Sequence, residues 1–199
     1  MKNNFMFNSA SLPYLVIIVI NVIVFALPYV FNFGGAGGSN NTFLALGWKE
    51  NYAILQNGQW YRLLTSMFLH GGIMHLAFNM YSLWDLGGLV NQISRFQNKN
   101  SAFVFLAIYF FAGICGGLAS MYFNPGTPSV GASGAIFGLI GAVVAYALVN
   151  GQTSLLQSLT QVIILNLIIG FSPGSNIDNS GHIGGLIGGS LIGFLLLAI

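Results

Sequence analysis

Charge is what this sequence has least of. Only 4% of its 199 residues are Asp, Glu, Lys or Arg, where a soluble domain carries about a quarter. Eight formal charges cannot solvate a globule of this size, whereas 55% hydrophobic residues in long uncharged runs suit a lipid bilayer. The five basic residues form no run, so nucleic acid is not an expected partner. One cysteine, Cys115, cannot make an intramolecular disulfide. Three histidines without an acidic or cysteine co-ligand make a poor zinc site, and neither a metal nor another cofactor is expected. Ser-x-x-Lys and His-Glu-x-x-His are absent, and there is no pair of intramembrane aspartates for an aspartyl protease. Position 135 is alanine, which removes the Gly-x-Ser-x-Gly elbow of soluble hydrolases.

What is present is a series of apolar segments divided by Gly, Pro and Asn-rich stretches. Six spans are expected, at about 13–31, 72–92, 102–122, 133–149, 155–171 and 181–199. The first has no small-residue cleavage site after it and reads as a retained anchor. This is an all-α pattern: a six-helix polytopic membrane bundle forming one domain over residues 1–199. The long connection, about 32–71, holds Trp48, Tyr52, Trp60 and Tyr61, aromatic residues that favour the headgroup level, so part of it is expected along the interface. Lys2, Arg95 and Lys99 fall on one side of the membrane and Lys49 and Arg62 on the other, which favours a cytoplasmic N-terminus.

The second span is the least hydrophobic and carries His75, Asn79, Ser82 and Asp85. Polar groups at that depth are costly and point to function. With alternating spans, the second, fourth and sixth run in one direction, and their unusual residues stand near the start of each: His70, His75 and Asn79, then Ser133, then His182. All lie toward one membrane face, the outer one in the favoured orientation. Ser133 stands between Gly131 and Gly134 where a helix begins, a position whose free N–H groups favour negative charge. The same motif also fits a serine that merely caps a Gly-rich helix.

In the sixth span, "SGHIGGLIGGSLIG", glycines at 181, 185, 189 and 193 make a smooth stripe, answered by Gly134, Gly138 and Gly141 in the fourth. Close packing of the two brings His182 toward Ser133, where it can act as a general base. His75 and Asn79, four residues apart, share a helix face and can donate to an oxyanion, or else form an interhelical polar contact. Phe137, one turn after Ser133, can pack on the imidazole or on lipid. Asp85 lies roughly 15 Å beyond His75 along its helix. Asp178 falls in the loop before His182, and a Ser-His dyad is expected without it.

The pieces "GQWYRLLTSMFLHGGIMHLAFNM", "GASG" and "GHIGGLIGG", in this order, resemble the rhomboid family of intramembrane serine proteases over nearly the whole chain. The resemblance implies that Ser133 is the nucleophile, His182 the base, and His75 and Asn79 the oxyanion donors, with His70 in a supporting role. Trp60-Tyr61-Arg62 corresponds to the family's Trp-Arg element, and Phe137 replaces the tyrosine of some members. A minimal six-helix form of the bacterial inner membrane is implied, with a cavity opening outward and single-span transmembrane proteins as substrates. A rhomboid-like protein that binds membrane helices without cutting them is the main alternative, and a small transporter is a third class. The oligomeric state is not legible.

Overall fold

The computed structural model describes residues 12–31 and 45–199. Its helices are α1 (Leu12–Val30), α2 (Asn51–Leu55), α3 (Arg62–Thr65), α4 (Ile73–Phe96), α5 (Ser101–Phe123), α6 (Ser133–Val149), α7 (Thr153–Gly170) and α8 (Asn179–Gly193). A 3-10 turn, Ser66–Phe68, follows α3, and a π turn, Phe194–Ala198, prolongs α8. Helices α1, α5, α7 and the α8 segment to Ala198 are long and apolar enough to cross a membrane. Helix α6 is a shorter apolar helix of 17 residues. Helix α4 is the longest, at 24 residues, and less apolar than the others, as its polar residues foretell. The helix bounds fall within one or two residues of those expected for the six spans at most ends, and the helix expected at 72–92 continues to Phe96.

The centre of the bundle is α6, in which Ala135 to Val143 are all buried. Helix α8 lies in the groove between α5 and α6, and small residues decide how deep it sits. A methyl group on Gly185 would collide with the Gly134 backbone, one on Gly189 with Gly138, and one on Gly193 with Ala142. These are three members of the expected stripe. The fourth, Gly181, meets α5 first: a Cβ on Gly116 would come within 2.7 Å of the Gly181 carbonyl oxygen, against 3.5 Å for one on Gly134. A second glycine face accompanies the first, since Gly184 packs on Ala119 and the Cys115 carbonyl and Gly188 on Cys115. Without side chains between them, the backbones approach closely enough for dispersion contacts along their length.

Polar side chains tie the ends of these rods together. Gln97 Nε2 donates to the Leu197 carbonyl at 2.6 Å and Lys99 Nζ to that of Leu196 at 2.8 Å. Both satisfy carbonyls that the end of the α8 segment leaves open, and the lysine charge suits that end of the helix dipole. Helix α7 is the exception, with Leu159 and Gly170 its buried residues and most of its apolar surface exposed.

The first connection is cross-linked within itself more firmly than an interfacial loop requires. Buried Arg62 donates through Nη1 to the carbonyls of Ala45 and Trp48, at 2.9 and 3.0 Å, and through Nε to Gln59 Oε1 at 2.7 Å. Tyr52, Trp60 and Tyr61 are exposed, as interface anchors should be, but Trp48 is half-buried. The stretch 32–44 of the expected interfacial loop lies outside the described residues.

Candidate active site

Ser133 is the first residue of α6, and Ala132, not a serine, occupies the cap position without a side-chain bond. The capping alternative for this hydroxyl is therefore set aside. Ser133 Oγ lies 2.8 Å from His182 Nε2. With the imidazole proton on Nδ1, Nε2 accepts the hydroxyl hydrogen. His182 sits in the first turn of α8, where its backbone N–H bonds the Asp178 carbonyl at 3.1 Å. Its ring stacks on Phe137, with centroids 4.3 Å apart and planes 10° from parallel. Phe137 follows Ser133 by four residues and so projects from the same face of α6. The contact of Gly185 with Gly134 sets the helix separation at which serine and histidine meet.

The segment before Ser133 is fixed by the first connection. Gly131 has φ +123°, a conformation that L side chains rarely adopt, and a Cβ there would stand 2.7 Å from His75 Nε2 and 3.7 Å from Ser133 Oγ. Glycine is required on both counts, and it lets the His75 ring edge approach the serine. The Gly131 N–H donates to the Ser66 carbonyl at 2.9 Å. Upstream, Lys49 and Ser129 exchange backbone hydrogen bonds at 2.9 and 3.0 Å as an isolated antiparallel bridge. The Lys49 side chain is buried, and Nζ donates to the carbonyls of Thr127 at 3.0 Å and Asn124 at 3.3 Å. Burial lowers its pKa, opposed by the charges of Asp178 and Glu50. Nothing in the sequence marked Lys49 as more than an orientation signal.

Asn79 is buried one turn below His75, and its Nδ2 donates to the His75 carbonyl at 2.8 Å. One of its two amide hydrogens is thus committed to its own helix, leaving the second for another acceptor. His70 is also buried, edge-on to His75 with ring centroids 5.0 Å apart. Burial, reinforced by the neighbouring His75, lowers its pKa to about 3. It is a neutral packing partner of His75.

Asp178 corrects the expectation of a plain loop residue. It is the N-cap of α8: Oδ1 accepts the Gly181 N–H at 3.1 Å, and Oδ2 accepts the Ser120 hydroxyl of α5. It is not bonded to the His182 ring, whose buried Nδ1 has no hydrogen-bond partner among the described residues. The hydroxyl and the imidazole thus pair without a carboxylate on the ring.

The family model for the rhomboid domain matches residues 57–199. The chain belongs to the rhomboid family. Rhomboid protease GluP of Bacillus subtilis is 51% identical over 158 residues, covering 77% of this chain and 29% of that protein. RHOMBOID-like protein 5 of Arabidopsis thaliana is 36% identical over 168 residues, 81% of this chain and 52% of that protein. Inactive RHOMBOID-like protein 8, also of Arabidopsis thaliana, is 37% identical over 147 residues, 71% of this chain and 39% of that protein. The chain therefore spans less than a third of the Bacillus relative and about half of the first Arabidopsis one. Membership of this rhomboid family and the apolar helices together make it an integral, polytopic membrane protein.

Proposed function

We propose that this chain is an intramembrane serine protease in which Ser133 and His182 form the catalytic dyad. The observation that carries the reading is the 2.8 Å pairing of Ser133 Oγ with His182 Nε2 at the adjoining ends of α6 and α8. His182 takes the hydroxyl proton as Oγ attacks the scissile carbonyl, and the carbonyl π electrons move to oxygen. The oxyanion is received by N–H groups at the start of α6, by the free amide hydrogen of Asn79 and by His75. Collapse breaks the C–N bond, and His182 gives its proton to the leaving amine. Water then attacks the acyl carbon while His182 takes its proton, and collapse breaks the C–Oγ bond as His182 returns that proton to Ser133 Oγ.

The first residues of α4, α6 and α8 form one end of the bundle. In the orientation that the basic residues favour, with a cytoplasmic N-terminus in a bacterial inner membrane, that end faces outward. Substrates are single-span proteins whose helices unwind near this end, because a helical peptide bond is shielded by its own hydrogen bonds. The whole unit acts as one domain.

The match to a relative named inactive makes labelling the natural test. A fluorophosphonate probe should label the purified protein at Ser133 and fail on Ser133→Ala. A protein that binds transmembrane helices but takes no label would favour a non-cleaving role.

A further inference from the structure

Lys49 is a buried cation that the dyad does not use. Its side chain is 1% exposed, although it stands in a connection whose aromatic residues Tyr52, Trp60 and Tyr61 face outward. An ammonium out of water is costly unless it is paired and hydrogen-bonded. The two carboxylates that act on its charge, Asp178 and Glu50, are engaged as the N-caps of α8 and α2. Nζ turns instead to two carbonyls, those of Thr127 at 3.0 Å and Asn124 at 3.3 Å. Asn124 is the residue that ends α5, where the helix dipole and the open carbonyls favour a positive charge.

One residue thus grips the chain between α5 and α6 at three places. The side chain holds the carbonyls of Asn124 and Thr127, and the main chain exchanges two hydrogen bonds with Ser129. Two residues on, the Gly131 N–H donates to the Ser66 carbonyl, and α6 begins at Ser133. Residues 124–131 are therefore set in register by the first connection, and their path decides where the free N–H groups at the start of α6 point. That path passes through Gly131 at φ +123°, so a small rotation of the segment re-aims the peptides next to Ser133. Asn51 provides a contrast: its Nδ2 donates to the Met121 carbonyl at 2.8 Å, which ties the first connection to α5 but not to the chain beyond it.

We propose that Lys49 is a positioning residue for the oxyanion site: its ammonium, clamped on the Asn124 and Thr127 carbonyls, fixes the chain that enters α6 and thereby the direction of the N–H groups beside Ser133. The proposal rests on the protease reading for what those N–H groups do. Lys49 itself takes no part in proton transfer or bond cleavage. Its loss weakens stabilisation of the oxyanion and so acts on the chemical step more than on substrate binding.

Lys49→Met keeps the apolar stem and the main-chain bridge but removes the donors. On a single-span substrate in liposomes its kcat should fall about tenfold, short of the roughly hundredfold or greater loss from deleting an oxyanion donor, with KM unchanged. Asn51→Ala should stay close to wild type. Lys49→Gln, which retains a neutral donor, should lie between the two, and it replaces Lys49→Met throughout if that protein does not fold. Amide hydrogen exchange gives a readout free of catalysis: Lys49→Met should speed exchange at the Ser129 and Gly131 N–H groups about tenfold, with α5 and α6 as protected as in wild type. Wild-type kcat in the Lys49 variants, a loss matched by Asn51→Ala, a loss that lies in KM, or unchanged exchange at residues 129 and 131 overturns the proposal. If exchange responds as expected while the wild-type protein neither cuts nor takes a serine-directed label, the clamp on the chain entering α6 stands and the protease reading falls.

Discussion

Gly185 lies against the backbone of Gly134, so close that a methyl group on either α8 residue 185 or its neighbour 189 would enter the facing chain. The serine-histidine distance is therefore a consequence of helix packing, set one turn below the site. Gly185→Leu should force α8 from α6 and abolish proteolysis and probe labelling even though Ser133 and His182 remain. Full activity in a folded Gly185→Leu protein would contradict this packing account.

The parallel stack of Phe137 on His182 restricts the ring to the plane in which Nε2 faces the hydroxyl. Phe137→Ala should lower kcat by about three- to tenfold, the worth of an aromatic contact, with little change in KM. Phe137→Tyr keeps the stack and should retain most of the activity. Steady-state kinetics on one transmembrane substrate distinguishes the two.

Asp178 holds the start of α8 through Gly181 and ties it to α5 through Ser120. Asp178→Ala should cost about 1 kcal/mol as a lost cap, measured as a lower unfolding temperature. Because His182 is in the same turn, kcat should fall as well. Ser120→Ala removes only the link to α5 and should have the smaller effect on both readouts.

His70 gives a pH dependence of known sign. Its pKa is held near 3 in the folded protein by burial and by His75, below the ordinary 6.5. The folded state therefore binds this proton less readily than the unfolded chain, so the stability it contributes is present above pH 6.5 and is lost as pH falls toward 3. The unfolding temperature should drop on acidification through that window. His70→Phe, which cannot take the proton, should flatten this part of the profile, and an unchanged slope would remove His70 as its source.

The parts of the site legible in the sequence are those written in local periodicity. Ser133 and His182 stand out because each precedes glycines at helical spacing, and that spacing implies two backbones in contact. The paired glycines 184–185 and 188–189 also encode a second face toward α5, but a four-residue count follows one face and passes over its neighbour. Lys49 with Ser129, and Ser120 with Asp178, join points far apart in the chain, and no periodicity announces such contacts. For Asn79, the sequence suggests an oxyanion donor or an interhelical polar contact, and nothing in it marks a bond back to the carbonyl four residues earlier. The structure makes the back-bond and leaves one hydrogen over.

The central claim is that Ser133 and His182 together cut peptide bonds within the membrane. Its most direct test is cleavage of a single-span substrate by the purified protein in liposomes, beside Ser133→Ala and His182→Ala. The account predicts product from the wild-type protein and none above background from either variant. Cleavage that persists in Ser133→Ala, or a wild-type protein inert toward both substrates and serine-directed probes, would contradict it.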